Sequence, residues 1–379
     1  MNFLKRIFRR VNLIIFNKRD RIKKHNQLNK TIKKIKTPGS TILIGSVLSS
    51  LGGLAHHIQA LAKYSAFKPN IFPAPEDLAA IRKWNTLDTI KKHIDDNGLN
   101  YKILHSHVDP WFINICLKQQ KLGTKWGHTY HTLYFEKDWD NGLQPWQIEI
   151  NNCLINVARK ADVRISISHW LQTLLLEKYN IETIYIPNGV DVVRCDKADA
   201  NRFIKKYKEK DFVLFASGIS DIKNPGEFIK LAHAIPEKQF VIIGRQISFQ
   251  ALTEKYKTNI PKNLMVIGQM PHRELLDALA ACSVFIVTSR SEGLPTVLME
   301  AMALERTVVG CDTYGTKEVI GDERYGYIYD HTSFDDLVAK TKAALTSPKG
   351  KQARKRILEN YDWQVVIPQI DDIYSKLIS

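Results

Sequence analysis

Two carboxylates, Glu292 and Glu300, flank the junction between an apolar strand and the helix that follows it. The strand is predicted at 284–287, where four apolar residues precede a polar turn. The helix is predicted to begin at Pro295, because proline has a fixed φ and no N–H and therefore suits the first helical position. The start of a helix offers free backbone N–H groups and the positive end of its dipole. The stretch from Glu292 to Glu300 is therefore predicted to bind a phosphorylated substrate.

Length and composition indicate a globular protein with two domains. A chain of 379 residues exceeds what one hydrophobic core normally supports, and 44% of the residues are hydrophobic. No apolar run approaches the ~20 residues that a membrane-spanning helix needs. The cysteines are scattered and lack Cys-x-x-Cys spacing, which predicts reduced cytosolic thiols and argues against disulfides or a metal site. They are Cys116, Cys153, Cys195, Cys282 and Cys311.

The net charge of +16 is concentrated in a basic tail at residues 1–36. This tail has thirteen Lys or Arg residues and one acid, Asp20, so it carries +12, and the other residues carry only +4. Basicity is thus a property of the tail and not of the whole surface.

Residues 1–19 have the pattern of an amphipathic helix that lies in a membrane interface. On a helical wheel one face is apolar, while Lys5, Arg6 and Arg9 lie opposite. A helix packed on its own domain is the alternative interpretation. Nucleic-acid binding is disfavoured because no nucleic-acid-binding module is recognisable. Residues 20–36 are predicted to continue as a charged connector.

From Ser40 the pattern changes to alternating strands and helices. A short apolar strand at 41–44, a glycine-containing loop at 45–53 and helical spacing at 54–67 predict the first unit of a doubly wound α/β domain. Gly52 and Gly53 would let a ligand approach the backbone closely, or they form only a tight turn. Further strands are predicted at 101–105, 125–129, 163–167 and 183–186.

Histidines cluster at two of these strand ends. His105 and His107 form one pair, and His128 and His131 form the other. Neither pair has the spacing of a zinc-binding helix motif. A structural or incidental role therefore stays open for each of them.

A second α/β domain follows a polar linker at 191–210. Its strands are predicted at 212–217, 240–244, 264–268, 284–287 and 307–310, with Lys223 in the loop after the first. The predicted organisation is a tail at 1–36, a first α/β domain at 37–190, a second α/β domain at 191–350 and a C-terminal helix at 351–379. That helix is predicted to cross back onto the first domain.

Several motifs in their expected order give the chain a resemblance to the retaining glycosyltransferases of family 4. The carboxylate pair lies in the full context of that family's motif, from Glu292 to Ala303. The others are Gly52-Gly53, 129–131, 161–168, 186–191 and 223–225. The resemblance implies the α/β architecture called GT-B, in which two Rossmann-like doubly wound domains face each other across a cleft.

The resemblance also implies a nucleoside-diphosphate sugar donor, of UDP or GDP type. By this resemblance, Glu300 of this chain would bind the ribose hydroxyls. Glu292 and His131 would approach the sugar, and Lys223 would neutralise the diphosphate. Further donor contacts would come from Gly53, Gly293, Leu294 and Pro295, and from the helix start at Thr296 and Val297. Transfer would retain the anomeric configuration, with no metal and no cofactor.

The sequence departs from the family pattern at two positions. Ile219 occupies the place where the family usually has an arginine that binds phosphate, and Arg245 could supply the missing cation from a neighbouring strand end. Glu305 replaces a glycine that commonly follows the second glutamate, which leaves the local turn in question.

Two alternative functions stay open, and a third is disfavoured. A nucleotide-sugar epimerase shares the architecture, and a non-catalytic sugar-nucleotide-binding protein would explain the missing arginine. A dinucleotide dehydrogenase is disfavoured because Gly-x-Gly-x-x-Gly spacing is absent. The basic amphipathic tail indicates a saccharide or lipid-linked acceptor at a membrane. It also predicts a cytoplasmic protein that residues 1–19 hold at the inner face of the plasma membrane. The sequence leaves the nucleotide base, the sugar and the acceptor open.

Overall fold

The computed structural model describes residues 20–36, 39–45 and 52–379. The predicted amphipathic helix at 1–19 and most of the loop at 45–53 lie outside the described residues. The chain forms two compact units, one reaching Gly127 and including Lys376–Ser379, and the other spanning His128–Ser375. No helix among the described residues combines the length and apolarity needed to cross a bilayer. The predicted domain limits stay a prediction.

The first sheet has six parallel strands in the order β2-β1-β3-β4-β5-β6. Within it, Ile44 of β1 is in register with Ile71 of β2 and His105 of β3. The strands are β1 (Ile42–Gly45), β2 (Asn70–Phe72), β3 (Ile103–Ser106), β4 (Lys125–Tyr130), β5 (Val163–Ser166) and β6 (Ile184–Tyr185). The helices are α1 (20–36), α2 (Gly53–Tyr64), α3 (Leu78–Trp84), α4 (Leu87–Asn97), α5 (Pro110–Gln120), α6 (Pro145–Asn156) and α7 (His169–Tyr179).

The second sheet also has six parallel strands, in the order β12-β11-β10-β7-β8-β9. These strands are β7 (Val213–Ala216), β8 (Phe240–Ile243), β9 (Leu264–Ile267), β10 (Val284–Val287), β11 (Thr307–Cys311) and β12 (Tyr327–Tyr329). Read from the other edge, this is the Rossmann order, whose topological switch point lies between β7 and β10. The loops that follow β7 and β10 therefore flank the place where such sheets bind ligands.

Ten helices accompany the second sheet among the described residues. They are α8 (Val192–Cys195), α9 (Ala200–Tyr207), α10 (Pro225–Ala234), α11 (Phe249–Tyr256), α12 (His272–Ala281), α13 (Thr296–Ala303), α14 (Tyr314–Ile320), α15 (Phe334–Thr346), α16 (Gly350–Asn360) and α17 (Trp363–Ile378). Buried apolar residues cover both faces of the sheet in two clusters. Strands that are buried on both faces read as continuous apolar runs, which is why these strands were predictable.

The predicted charged connector at 20–36 is instead a regular helix, α1. Thr31 and Ile35 are buried on its inner face, while all seven of its Lys and Arg residues are exposed. Packing of this one side stabilises a helix whose other side is polar.

Other differences are small and have local causes. Strands β2 and β12, each of three residues at a sheet edge, were not predicted from the sequence. Helix α13 begins at Thr296 with Pro295 as its N-cap, one residue later than predicted. The turn at Glu305 is kept, because this residue adopts a φ of 59° in the region that glycine would favour.

Gly244 should be intolerant of substitution because it lets the loops after β7 and β8 touch. A Cβ there would lie 1.7 Å from the backbone oxygen of Ser217. We expect Gly244→Ala to lower the free energy of unfolding by ~1–3 kcal/mol, since backbone must move to relieve the overlap. Urea unfolding measures the change. Gly39→Ala is the matched control, since a Cβ at Gly39 meets no described atom within 4 Å. Equal stability of the two variants would contradict the prediction.

Candidate active site

The loops after β7 and β10 are joined by hydrogen bonds at the switch point. The N–H of Arg290 donates to the carbonyl oxygen of Ile222 at 2.7 Å. The hydroxyl of Thr288 donates to the carbonyl oxygens of Lys223 and Asn224, at 3.1 and 2.9 Å. These bonds fix the backbone on both sides of the predicted site residues. The order of the strands, and not their position in the chain, brings Lys223 and Glu292 together.

Lys223 and Glu292 form an ion pair. The Nζ of Lys223 lies 2.5 Å from the Oε1 of Glu292, and the lysine and glutamate side chains are 32% and 14% exposed. Partial burial reduces solvent screening of this pair relative to an ion pair on the open surface. Two side chains predicted to act on different parts of a substrate therefore contact each other directly.

Glu300 is held by His272 on the first turn of α12. The Nε2 of His272 and the Oε1 of Glu300 are 2.7 Å apart, and Glu300 is only 5% exposed. Its other oxygen, Oε2, is buried and accepts no hydrogen bond from any described residue. An ionised carboxylate is an acceptor only, and a buried oxygen without a donor is costly. Glu300 can therefore accept a hydroxyl donor from a ligand.

The backbone at Gly293 is packed between two other loops. A Cβ on Gly293 would lie 2.3 Å from the carbonyl oxygen of His131, and one on Gly315 would lie 2.1 Å from the carbonyl oxygen of Gly293. The N–H of Gly315 also donates to the carbonyl oxygen of Glu292 at 3.2 Å. The structure thus brings His131, from the loop after β4, to the predicted sugar-binding backbone.

The start of α13 has the features of an anion site. Leu294 is buried, and Thr296 and Val297 are half-buried. Pro295, the N-cap, offers no side-chain acceptor to the N–H groups of the first turn. Those donors and the positive end of the helix dipole therefore remain available to a negatively charged group.

A turn between β4 and α6 reaches the same segment. Burial raises the pKa of Asp138, and a hydrogen bond from the Ser291 hydroxyl partly offsets that rise. The carboxylate of Asp140 lies 2.8 Å from Arg290 Nη1 in an exposed ion pair, a kind that contributes little to stability. The buried Asp138 contact is therefore the stronger tie between this turn and Glu292.

Trp170, at the start of α7, also contacts the segment. Its Nε1–H donates to the carbonyl oxygen of Gly293 at 3.0 Å. The carboxylate of Glu318 accepts from the N–H groups of His169, at 2.9 Å, and Trp170, at 3.4 Å, and so holds the first turn of α7. Sequence reasoning missed Trp170, Glu318 and Asp138, because each acts across a long sequence separation that no local pattern reveals.

Position 219 and Arg245 are neighbours. Ile219 packs against the apolar cluster on one face of the second sheet. Its N–H donates to the carbonyl oxygen of Arg245 at 3.3 Å, and the Arg245 side chain is exposed. The cation predicted to replace an arginine at 219 thus belongs to the loop that touches Ile219. Whether Arg245 binds a phosphate stays a prediction.

The glycines and histidines of the first sheet differ from one another in backbone conformation, burial and contacts. Gly52 is the N-cap of α2 with a φ of 101°, so the positive φ is at Gly52 and Gly53 is the first helical residue. Burial lowers the pKa of His105 to about 3, and the nearby His57 adds to the shift. His128 is fully buried with its ring 4.4 Å from that of Tyr130. His131, the other member of the second histidine pair, has its backbone carbonyl oxygen against Gly293.

One group of side chains in the second unit has metal-binding character. Ligand atoms of Asp312, Asp330 and His331 lie within 4.8 Å of one another. Asp330 and His331 are exposed, and His331 Nδ1 is 2.7 Å from Asp312 Oδ1. The third member, Asp330, accepts from the N–H and the hydroxyl of Thr332, at 2.8 and 2.7 Å.

Two family models match the chain in sequence. Residues 51–194 match Glycosyltransferase Family 4, and residues 196–362 match Glycosyl transferases group 1. Together the two matches cover every strand except β1 and include Lys223, Glu292 and Glu300.

Curated relatives share low identity with the chain. The phosphatidylinositol N-acetylglucosaminyltransferase GPI3 subunit of Saccharomyces cerevisiae is 22% identical over 297 residues, 73% of this chain and 64% of the relative. The UDP-Gal:alpha-D-GlcNAc-diphosphoundecaprenol alpha-1,3-galactosyltransferase of Escherichia coli is 26% identical over 210 residues, 51% of this chain and 54% of the relative. The chain thus spans less than two thirds of the length of each.

Solved structures share the fold. Anabaena Alr3699/HepE, solved with UDP and glucose, superposes with a TM-score of 0.71 at 15% identity, over 88% of this chain and 99% of that one. A glycosyltransferase from Rickettsia africae ESF-5 gives a TM-score of 0.69 at 15% identity, over 90% of this chain and 100% of that one. With both family models matched and the two-sheet GT-B fold present, the chain belongs to the group 1 glycosyltransferases of family 4.

Proposed function

We propose that the protein transfers a sugar from a nucleoside-diphosphate donor to an acceptor, with retention at the anomeric carbon. The observation that carries this proposal is the grouping of Lys223, Glu292 and Glu300 around the first turn of α13 at the switch point of the second sheet. Each part of such a donor meets a group of suitable chemistry there. The proposal includes the donor, the reaction and the membrane setting.

The ribose would bind at Glu300. Its buried Oε2 lacks a hydrogen-bond donor among the described residues, and its Oε1 is oriented by His272. A pair of sugar hydroxyls supplies the donors that an ionised carboxylate requires. The nucleotide is therefore anchored by a side chain that is already fixed before it binds.

The diphosphate would lie at the first turn of α13, facing Lys223. A leaving nucleoside diphosphate gains negative charge in the transition state, so a cation and free N–H groups directed at it lower the barrier. Before donor binding, the ammonium of Lys223 is neutralised by Glu292. Donor phosphates would replace that carboxylate and free Glu292 to approach the sugar.

The sugar would lie against Gly293, between Glu292 and His131. Retention follows when the acceptor hydroxyl attacks the face that the phosphate leaves and gives its proton to the departing phosphate oxygen. In that reaction the C1–phosphate bond breaks, a C1–acceptor oxygen bond forms, and no separate base is required. Glu292 would stabilise positive charge that develops at the anomeric carbon.

An epimerase of the same architecture and a non-catalytic binding protein are the other candidates. Incubation of donor without acceptor separates them. An epimerase would convert the sugar, a transferase would only hydrolyse the donor slowly, and a binding protein would leave it intact.

The acceptor would be a saccharide or a lipid-linked saccharide at the cytoplasmic face of a membrane. The names of the yeast and bacterial relatives specify a phosphatidylinositol acceptor and a diphosphoundecaprenol acceptor. The chain itself contributes a tail with +12 charge and an amphipathic pattern at residues 1–19. Anionic lipid attracts such segments by about 1 kcal/mol per cation near the surface.

Glu300→Ala is expected to weaken donor binding. Loss of one carboxylate that accepts ribose hydroxyls should raise Kd by about 10–100-fold, as for a charged hydrogen bond. A thermal-shift screen of UDP, GDP and their sugars identifies the base, and calorimetry with the nucleotide found measures Kd. Glu237→Ala, which removes an exposed carboxylate, is the control. Unchanged affinity in Glu300→Ala would refute the ribose assignment.

Glu292→Gln is expected to separate binding from turnover. Removing the carboxylate charge frees Lys223, so the affinity for nucleoside diphosphate should hold or rise by up to about 5-fold, the value of one partly exposed ion pair. Donor turnover should fall by about 100-fold, because an electrostatic contact made at the reacting centre is lost. Lys223→Met is the complementary variant and should bind nucleoside diphosphate more weakly. Full turnover in Glu292→Gln would exclude the proposed role.

Deletion of residues 1–19 is expected to abolish membrane partitioning while the enzyme stays folded. The deletion stops before α1, whose Thr31 and Ile35 are buried, so the described structure is kept. Sedimentation with vesicles of anionic and of neutral phospholipid measures binding, and donor hydrolysis measures folding of the site. Equal partitioning of the full and shortened chains would show that the tail does not dock.

A further inference from the structure

We propose that Tyr314, together with Trp170 and Phe135, forms a binding surface for a saccharide acceptor beside Gly293. The proposal rests on the proposed function, because it requires the donor sugar to lie against Gly293. It assigns the acceptor to a chemical class, a sugar ring with an apolar face.

Tyr314 has a backbone conformation that its residue type disfavours. Its φ is 42°, in the left-handed region, where a bulky side chain costs free energy and where glycine or asparagine is usual. The helix α14 begins at this residue, and a glycine would satisfy the turn without strain. Strained backbone that persists at a functional site indicates a role for the side chain placed there.

Three aromatic rings from separate loops meet at this point. The ring centroids of Trp170 and Tyr314 are 4.8 Å apart, and those of Phe135 and Trp170 are 6.5 Å apart. All three residues are half-buried, so each keeps part of its ring accessible. The rings are tilted against one another, by 43° for Trp170 and Tyr314 and by 59° for Phe135 and Trp170, so a sugar ring would pack on one ring face while the other rings border it.

Hydrogen bonds connect Trp170, and the residue that follows Tyr314, to the backbone of the site. The indole N–H of Trp170 donates to the Gly293 carbonyl at 3.0 Å, and Gly315, next to Tyr314, donates its N–H to the Glu292 carbonyl at 3.2 Å. The aromatic surface therefore adjoins the backbone of the two motif residues proposed to contact the donor sugar. An attacking acceptor has to reach that place.

The chemistry of the surface suits a carbohydrate. One face of a pyranose ring exposes C–H groups that pack on aromatic rings, and its rim carries hydroxyls that need polar partners. Lys137 supplies such a partner, because its exposed ammonium lies 5.2 Å from the centroid of the Tyr314 ring. Lys137 donates to the Tyr314 hydroxyl and, with three N–H donors, keeps others for the hydroxyls of a sugar rim, whereas a lipid chain offers them no acceptor.

Saturation-transfer NMR with methyl glycosides tests the proposal on the full chain. The probes are methyl α-glucoside, methyl β-galactoside and methyl N-acetyl-α-glucosaminide, each with and without UDP. We expect at least one to bind. Tyr314→Gly removes the ring and relieves the positive φ, so it should stay folded yet bind that glycoside at least about tenfold more weakly, as for loss of one aromatic contact. Tyr314→Phe keeps the ring and should stay within about threefold of wild type.

Two outcomes would overturn the saccharide surface. One is that no glycoside binds the wild-type protein, and the other is that Tyr314→Gly binds the glycoside as tightly as wild type. Nucleotide affinity and basal donor hydrolysis provide the separate readout for the proposed function. If neither UDP nor GDP binds, the donor assignment fails, whereas the glycoside titration still decides the aromatic surface.

Discussion

Backbone atoms of three loops lie closer at Gly293 and Gly315 than any side chain would allow. A Cβ on either glycine would come within 2.3 Å of a neighbouring carbonyl oxygen. This close approach brings the loop after β4, the loop after β10 and the loop after β11 into one layer. Glu292 and His131 belong to two of these loops, so this close approach positions the backbone of both.

The ion pair between Lys223 and Glu292 acts within that layer. Strand order places the loops after β7 and β10 on either side of the switch point, and the pair closes the space between them. An exposed pair of this kind would contribute little, whereas a partly buried one orients both side chains. The same contact that organises the empty site would be exchanged for phosphate when a donor binds.

The second carboxylate, Glu300, has a different environment from Glu292. Glu300 is buried on α13 and its charge is supported by one contact with His272. A buried carboxylate with an oxygen left without a donor is tolerable where a ligand completes it. Glu292 and Glu300 therefore differ in environment as well as in position, which fits a division of work between sugar and ribose.

The sequence by itself determined the parts of the protein that depend on local pattern. Ten of the twelve strands among the described residues were predicted, and most of those in the second sheet are continuous apolar runs because both of their faces are buried. The residues from Glu292 to Glu300 were recognised from their spacing, and Lys223 and His131 from their order along the chain. Strands β2 and β12 and the helical state of residues 20–36 were not predicted from the sequence.

Only the tertiary structure decided which of these residues act together. The partners Lys223 and Glu292, His272 and Glu300, and Trp170 and Gly293 are far apart in sequence, so their contacts follow from strand order and loop packing. The approach of the His131 carbonyl oxygen to Gly293 also required the fold. Local pattern fixes each element, because burial and hydrogen bonding repeat at short range. The site is decided by how the elements pack, because its contacts join loops that no short-range periodicity connects.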